Sequence, residues 1–136
     1  MLNSSLQKSV VKVARSLVVG MDHHWKHVSF IAERSSIIAM GWNQPYKTHP
    51  MAMKFNYRYN AIHSELHCIL NFEKPVKLLN KYTFINVRID DNGSLKMSKP
   101  CHICKKLLWS FGVKEVWYST SVGTFDLYNL EGYNVH

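Results

Sequence analysis

Two short stretches, far apart in the chain, hold residues that make chemical sense only if the fold brings them together: Ile62-His63-Ser64-Glu65 and Pro100-Cys101-His102-Ile103-Cys104. Zinc takes nitrogen and sulfur ligands in a tetrahedron, and a catalytic zinc uses three protein ligands and leaves the fourth position to a water. His63, Cys101 and Cys104 supply such a set. Two thiolates cancel the charge of Zn²⁺ and the neutral imidazole adds none, so ionising the water leaves the site one net negative charge. A water held by three histidines reaches a pKa near ~7, and electron-rich sulfurs acidify it less. A carboxylate must therefore take the proton. Glu65, two positions from His63, can reach that water but is awkwardly placed to join the same tetrahedron, so it is the candidate proton carrier, base first and acid afterwards. A lone C-x-x-C could also be a redox pair or half of a closed structural zinc site. The structural site wants a fourth Cys or His, and the one other cysteine, Cys68, falls on the far side of the helix expected after His63.

At 136 residues the chain suits a single domain, 1–136, long enough to bury a core. An apolar fraction of 46% argues for a globular fold over a disordered one. Three cysteines, two claimed by metal, make no disulfide framework, which points to the cell interior and a cytoplasmic protein. Lys8, Lys12 and Arg15 interrupt the apolar steps near the N-terminus, and no run approaches membrane-spanning length, so neither secretion nor a membrane partner is expected. The net charge of +8 suits an anionic partner, a nucleotide or a nucleic acid, but a solubilising surface accounts for it equally. A homo-oligomer stays open.

Along the chain, Leu6, Val10, Val13 and Leu17 recur at helical spacing and predict a first helix over about Ser4 to Val18, ended by Gly20 and Asp22. His23, His24 and His27 read as surface histidines of a loop. Val28 to Ala32 and Ile37 to Trp42 predict two strands joined by a tight turn at Arg34-Ser35-Ser36. From Asn43 to Asn60 periodicity is lost, and rings and cations mix: Tyr46, Lys47, His49, Lys54, Phe55, Tyr57, Arg58, Tyr59. A long loop of this composition can stack bases and hold phosphate, or it can be an extended segment packing one aromatic face. Asn60 is placed to cap a second helix with Ile62, Leu66, Ile69 and Leu70 inward and His63 and Glu65 in its first turn. A third strand runs from Lys81 or Tyr82 to Ile89 into the turn residues Asp90-Asp91-Asn92-Gly93. Pro100 suits the first position of a third helix whose inner face is Cys101, Cys104, Leu107, Leu108 and Phe111, closed by Gly112. Val113 to Thr120 and Phe125 to Tyr128 are the last two strands. Too few residues lie between them for a parallel crossover, so they form an antiparallel hairpin.

With its H-x-E and P-C-x-x-C motifs the sequence resembles the cytidine and deoxycytidylate deaminase superfamily, from Val28 to about Thr120. Gly41-Trp42-Asn43, Lys47-Thr48-His49-Pro50, and the run from Val87-Arg88-Ile89 to Lys99-Pro100-Cys101 look like the small deaminase-like proteins often carried by phages. The resemblance implies an α/β fold, a three-layer α/β/α sandwich around a five-stranded mixed sheet. It also implies a Zn²⁺-dependent hydrolase that converts cytosine to uracil with release of ammonia. The substrate implied is a free (deoxy)cytidine nucleoside or nucleotide, the alternative being cytosine or adenine in single-stranded DNA or RNA. The candidate substrate contacts are Asn43, Lys47, His49, Arg58, Ser64 and Pro100, with the Ser64 backbone amide on the pyrimidine carbonyl and Lys47 or Arg58 on a 5′-phosphate. Free-nucleoside deaminases of the superfamily usually carry Cys where His63 stands, and the deoxycytidylate and polynucleotide enzymes usually insert a helix between the last two strands. This chain combines the histidine of the second group with the short ending of the first.

Overall fold

A computed structural model describes residues 2–21, 26–45, 49–54 and 61–131 of the chain, without the side chains of 45, 52 and 61. In order the elements are α1 (Ser4–Val18), β1 (His27–Glu33), β2 (Ser36–Trp42), β3 (Gln44–Pro45), α2 (Pro50–Lys54), β4 (Ala61–Ile62) and α3 (Ser64–Leu70). A 3₁₀ segment (Val76–Lys81), β5 (Thr83–Ile89), β6 (Leu95–Lys96), α4 (His102–Ser110), β7 (Glu115–Ser119) and β8 (Phe125–Asn129) follow. The main sheet runs β2-β1-β5-β7-β8, with β6 paired to β5. Among the described strands only β5 and β7 pair in parallel, and α4 lies in the crossover that a parallel pair requires. β7 and β8 form the expected antiparallel hairpin, Val116 opposite Tyr128, across a turn in which Gly123 takes φ 86°.

Helices cover both faces of the sheet, so its inner strands are apolar on both sides. One face packs Val28, Phe30, Ala32, Ile85, Val87 and Ile89 under α1. The other packs Ile31, Phe84 and Val116 under α3 and α4 through Leu66, Ile69, Leu107 and Leu108. This is the three-layer α/β/α arrangement with its mixed sheet. The buried stripe of α1 is Leu6, Val10, Ala14 and Val18, so half of the expected stripe is corrected. Val13 and Leu17 lie at its edges, because the small Ala14, which hydropathy ranks low, is the residue that faces the sheet. Asn3 caps this helix, its Oδ1 accepting the N–H groups of Ser5 and Leu6 at 2.8 and 3.2 Å.

α3 presses unusually close to β2. A Cβ on Gly41 would lie 2.1 Å from the backbone nitrogen of Cys68, so only glycine fits beneath this helix. The Trp42 N–H, donating to His67 Nδ1 at 3.0 Å, ties the same two elements. Three sequence expectations change locally. Leu70 is 41% exposed instead of inward, since α3 ends there and its last turn leaves the sheet. The stretch expected as one long loop contains β3 and α2, elements too short to show a period, and Ile62, expected inside the second helix, instead pairs in β4 with β3. β6 turns the Asp90–Gly93 segment into a hairpin, with Asp90 Oδ1 accepting from the N–H groups of Asn92 and Ser94 at 2.9 Å each. Among the described residues no helix is long and apolar enough to cross a membrane.

Candidate active site

The two motifs meet at the N-terminal ends of α3 and α4. His63 precedes α3 in an extended conformation, φ −71° and ψ 155°, as its N-cap residue, one step earlier than the first-turn position expected. Asn60, expected to cap, lies outside the described residues. Pro100 is buried but not helical: Cys101 is the N-cap of α4, and its Sγ accepts the N–H of Cys104 at 3.4 Å. A sulfur acting as cap acceptor starts the helix after Cys101 instead of at Pro100. It also places both cysteines toward His63.

His63 Nδ1 lies 3.4 Å from Cys104 Sγ and 4.0 Å from Cys101 Sγ, and the three donor atoms all fall within 4.8 Å of one another. Nitrogen and sulfur ligands at 2.0–2.3 Å from one tetrahedral zinc lie roughly 3.5–3.8 Å apart, so the donor set comes close to the spacing the ion needs. Hydrogen bonding from Cys104, with His63 adding to it, draws the Cys101 thiol down to about 4, against the effect of its burial. Burial works to lower the His63 pKa, but the hydrogen bond to Cys101 and the negative charges of Glu65 and Cys101 outweigh it and the net shift is upward. Cys68 is not in this group. It is fully buried in the core beneath β2, and desolvation, with the nearby Glu65 charge, pushes its thiol well up.

Glu65 sits in the first turn of α3 and is 6% exposed. Burial raises its pKa, and the Cys101 charge adds to the effect. Its two oxygens have separate partners: Ser64 Oγ donates to Oε1 at 3.1 Å and Asn86 Nδ2 donates to Oε2 at 3.0 Å. Ser29 Oγ lies 2.8 Å from Ser64 Oγ and 2.7 Å from Asn86 Oδ1, and with one hydrogen it donates to only one of these two acceptors at a time. Ser64 opens α3, so its backbone N–H belongs to the first turn, where amides lack an intrahelical acceptor.

Sequence reasoning missed the floor of this site. Ser29 and Asn86 face each other across β1 and β5 and are 0% and 1% exposed. Ser98 and Ser119 join them: Ser98 Oγ donates to the Asn86 carbonyl at 2.9 Å, and the Ser119 N–H donates to Ser98 Oγ at 2.8 Å. The available signal was a lone polar residue inside each apolar strand, Val28-Ser29-Phe30 and Ile85-Asn86-Val87, since a buried polar group needs a partner.

Of the expected substrate contacts, Lys47 and Arg58 lie outside the described residues, as do His23, His24, Tyr46, Phe55, Tyr57 and Tyr59. His49 stands before α2, its Nδ1 accepting the Met51 N–H at 3.0 Å. Asn43 follows β2, its N–H donating to the His27 carbonyl at 3.3 Å while its side-chain oxygen is buried with no hydrogen-bond partner among the described residues. Lys99 and Lys105 flank the cysteine motif, and their ammonium groups converge on the ring of Tyr128 at 4.5 and 4.6 Å.

No protein-family model and no curated protein matches the sequence. The solved structures that match the fold include two of a phage enzyme. One is the dCMP deaminase of the cyanophage S-TIM5 in apo form, with 19% identity, a TM-score of 0.55, and coverage of 85% of this chain and 83% of that one. The other is the same phage's dCMP deaminase in complex with dCMP and dUMP, with 17% identity, a TM-score of 0.56, and coverage of 87% and 83%. The chain has the fold of these dCMP deaminases and, in His63, Cys101 and Cys104, a donor group that fits a zinc site.

Proposed function

We propose that the protein is a zinc-dependent hydrolytic deaminase acting on the cytosine base of a free nucleoside or nucleotide. The observation that carries this is the convergence of His63 Nδ1 with both cysteine sulfurs within 4.8 Å, next to a buried carboxylate two residues on. His63, Cys101 and Cys104 would hold the zinc. Bound there, it supplies the Lewis acidity that makes a water nucleophilic near neutral pH.

Glu65 performs the proton transfers. It takes a proton from the water as the oxygen bonds to C4 of the base and passes it to the ring nitrogen, then takes the remaining proton from the C4 hydroxyl and gives it to the exocyclic nitrogen as the C4–N bond breaks and the C4 carbonyl forms. Ammonia leaves and a uracil remains. A buried carboxylate with an elevated pKa suits both directions of transfer, because a base with its pKa closer to the working pH is also a competent acid. Asn43 and the Ser64 N–H are the proposed contacts to the nucleoside. The unpartnered Asn43 oxygen supports its assignment, since a buried acceptor left unsatisfied costs ~1–3 kcal/mol and a substrate hydroxyl or amine would satisfy it. His49 and Pro100 stay proposed as contacts of the rim, and Lys47 or Arg58 as holders of a 5′-phosphate.

The solved relative complexed with dCMP and dUMP supports a nucleotide substrate. The alternative, a base within single-stranded DNA or RNA, draws on the net charge of +8. Among the described cations, Lys8, Lys12 and Arg15 lie on α1, across the sheet from Glu65, while Lys99 and Lys105 flank the cysteine motif. A panel of cytidine, deoxycytidine, their monophosphates, cytosine, adenosine and single-stranded oligonucleotides, read by mass for replacement of an amine by oxygen, tests the proposal. Turnover of a cytosine monomer is expected. Turnover of oligonucleotides alone would favour the alternative, and turnover of none would overturn both.

A further inference from the structure

The Glu65 carboxylate is held from the strand beneath it. Asn86 Nδ2 donates to Glu65 Oε2 at 3.0 Å and to the Ser98 carbonyl at 3.2 Å, so both amide hydrogens are committed. Asn86 Oδ1 can then only accept, and it takes the Ser29 hydroxyl at 2.7 Å. The orientation of this amide is therefore fixed by three partners on three segments: α3, β1 and the strap that leads from β6 to Cys101. The strap is itself pinned to β7, with the Ser98 N–H donating to the Ser119 carbonyl at 3.0 Å. Asn86 is thus the one described side chain that hydrogen-bonds directly to both the Glu65 carboxylate and the strap carrying the first cysteine.

We propose that Asn86 is a positioning residue for Glu65: its amide aims the carboxylate and locks it to the cysteine-bearing strap, with Ser29 locking the amide in turn. This rests on Glu65 being the proton carrier. The chemistry demands such a clamp. A carboxylate on a helix's first turn keeps rotamer freedom unless a neighbour removes it, and the transfers from the water and to the ring nitrogen and the leaving amine all need the carboxylate held in place. One N–H donor on Oε2 orients the group, and the lone pairs not taken by Asn86 and by Ser64 Oγ remain for the reaction.

Two variants test it. Asn86→Asp keeps the shape of the side chain but removes both donors and sets a carboxylate against Glu65. Ser29→Ala leaves Asn86 in place and frees its Oδ1. The measurements are zinc per chain, KM and kcat per zinc-loaded enzyme, and Tm. The expected result is one zinc, little change in KM, and kcat lowered by up to ~10²-fold in Asn86→Asp with a smaller loss in Ser29→Ala, the scale set by the rate lost when a reacting group is misplaced by an ångström. A merely structural residue would lower Tm and leave kcat per zinc-loaded enzyme at the wild-type value in both variants, and that result overturns the proposal. A second measurement stands even if Asn86→Asp folds poorly. Glu65→Gln placed in the Asn86→Asp background reverses the polarity of the contact, amide to carboxylate, and should raise Tm above that of Asn86→Asp alone. Additive Tm changes would show that the two side chains do not act on each other and would overturn it as well. Full turnover in Glu65→Gln alone would instead remove Glu65 as proton carrier, a failure of the underlying reading that the Asn86 and Ser29 variants do not mimic.

Discussion

Gly41→Ala isolates how tightly the site is built onto the sheet. Residue 41 lies in β2, where alanine has no backbone difficulty, so the substitution adds one methyl group and nothing else. That methyl would lie 2.1 Å from Cys68 N, 2.6 Å from His67 C and 2.7 Å from Cys68 Cα, all backbone atoms of α3 that no side-chain rotation can clear. Ordinary contact begins near 3.4 Å, so α3 must retreat by more than an ångström. Overpacking costs ~1–3 kcal/mol where side chains can yield, and an obstacle of backbone puts this case at the upper end, ~3 kcal/mol. At this chain length that is a fall in Tm of roughly 10 °C. Because α3 carries Glu65 and is entered through His63, the retreat also separates these from the cysteines on α4, and kcat should fall by ~10²-fold. Thermal unfolding followed by circular dichroism at saturating zinc, with kcat on the best substrate, reads both. Gly20→Ala, where the new methyl meets nothing within 4 Å, is the control and should change neither. A Gly41→Ala protein with the wild-type Tm would refute the reasoning.

Further tests separate layer from layer. Cys101→Ser and Cys104→Ser should each lose zinc and stability together, because a metal bound only by the folded state stabilises that state; full zinc occupancy in the double variant, by metal analysis, would remove the ligand assignment. Leu6→Ala, on α1 across the sheet from Glu65, should cost ~2–5 kcal/mol in chemical denaturation and leave kcat at 25 °C unchanged. Asp90, held below its usual range by the Ser94 and Asn92 N–H groups, should contribute stability that is present above the unfolded-state pKa and lost as pH falls through the folded one. The Tm difference between wild type and Asp90→Ala should therefore shrink on acidification below pH 4, and a difference that grows there would contradict it. If the substrate is a monomer, KM should vary only shallowly with salt, whereas a steep slope would indicate several strand phosphates.

The candidate donor group was legible because its residue types carry their own chemistry: His63, Cys101 and Cys104 can be picked out before anything is known of their distance. The sheet was legible for a related reason, since five apolar runs and one short final connection leave few topologies. What stayed hidden depends on distance in space. Asn86 and Ser29 carry no motif, and each gains meaning only from standing opposite the other across β1 and β5. Gly41 reads as an ordinary strand residue until α3 is laid against it. The shifted stripe of α1 and the outward Leu70 show the limit of periodicity, which finds a helix more readily than it finds the small residue or the frayed end that sets its facing.

The most direct test of the catalytic assignment is Glu65→Gln, assayed for zinc content and for deamination of the best cytosine substrate in the same preparation. The glutamine keeps the size of the side chain and cannot carry the proton. The expected result is one zinc per chain with turnover reduced by ~10²–10⁴-fold or more, the range of general acid–base catalysis. Near-normal turnover would show that another group moves the protons, and loss of the zinc along with the activity would show that Glu65 holds the metal instead of serving the water.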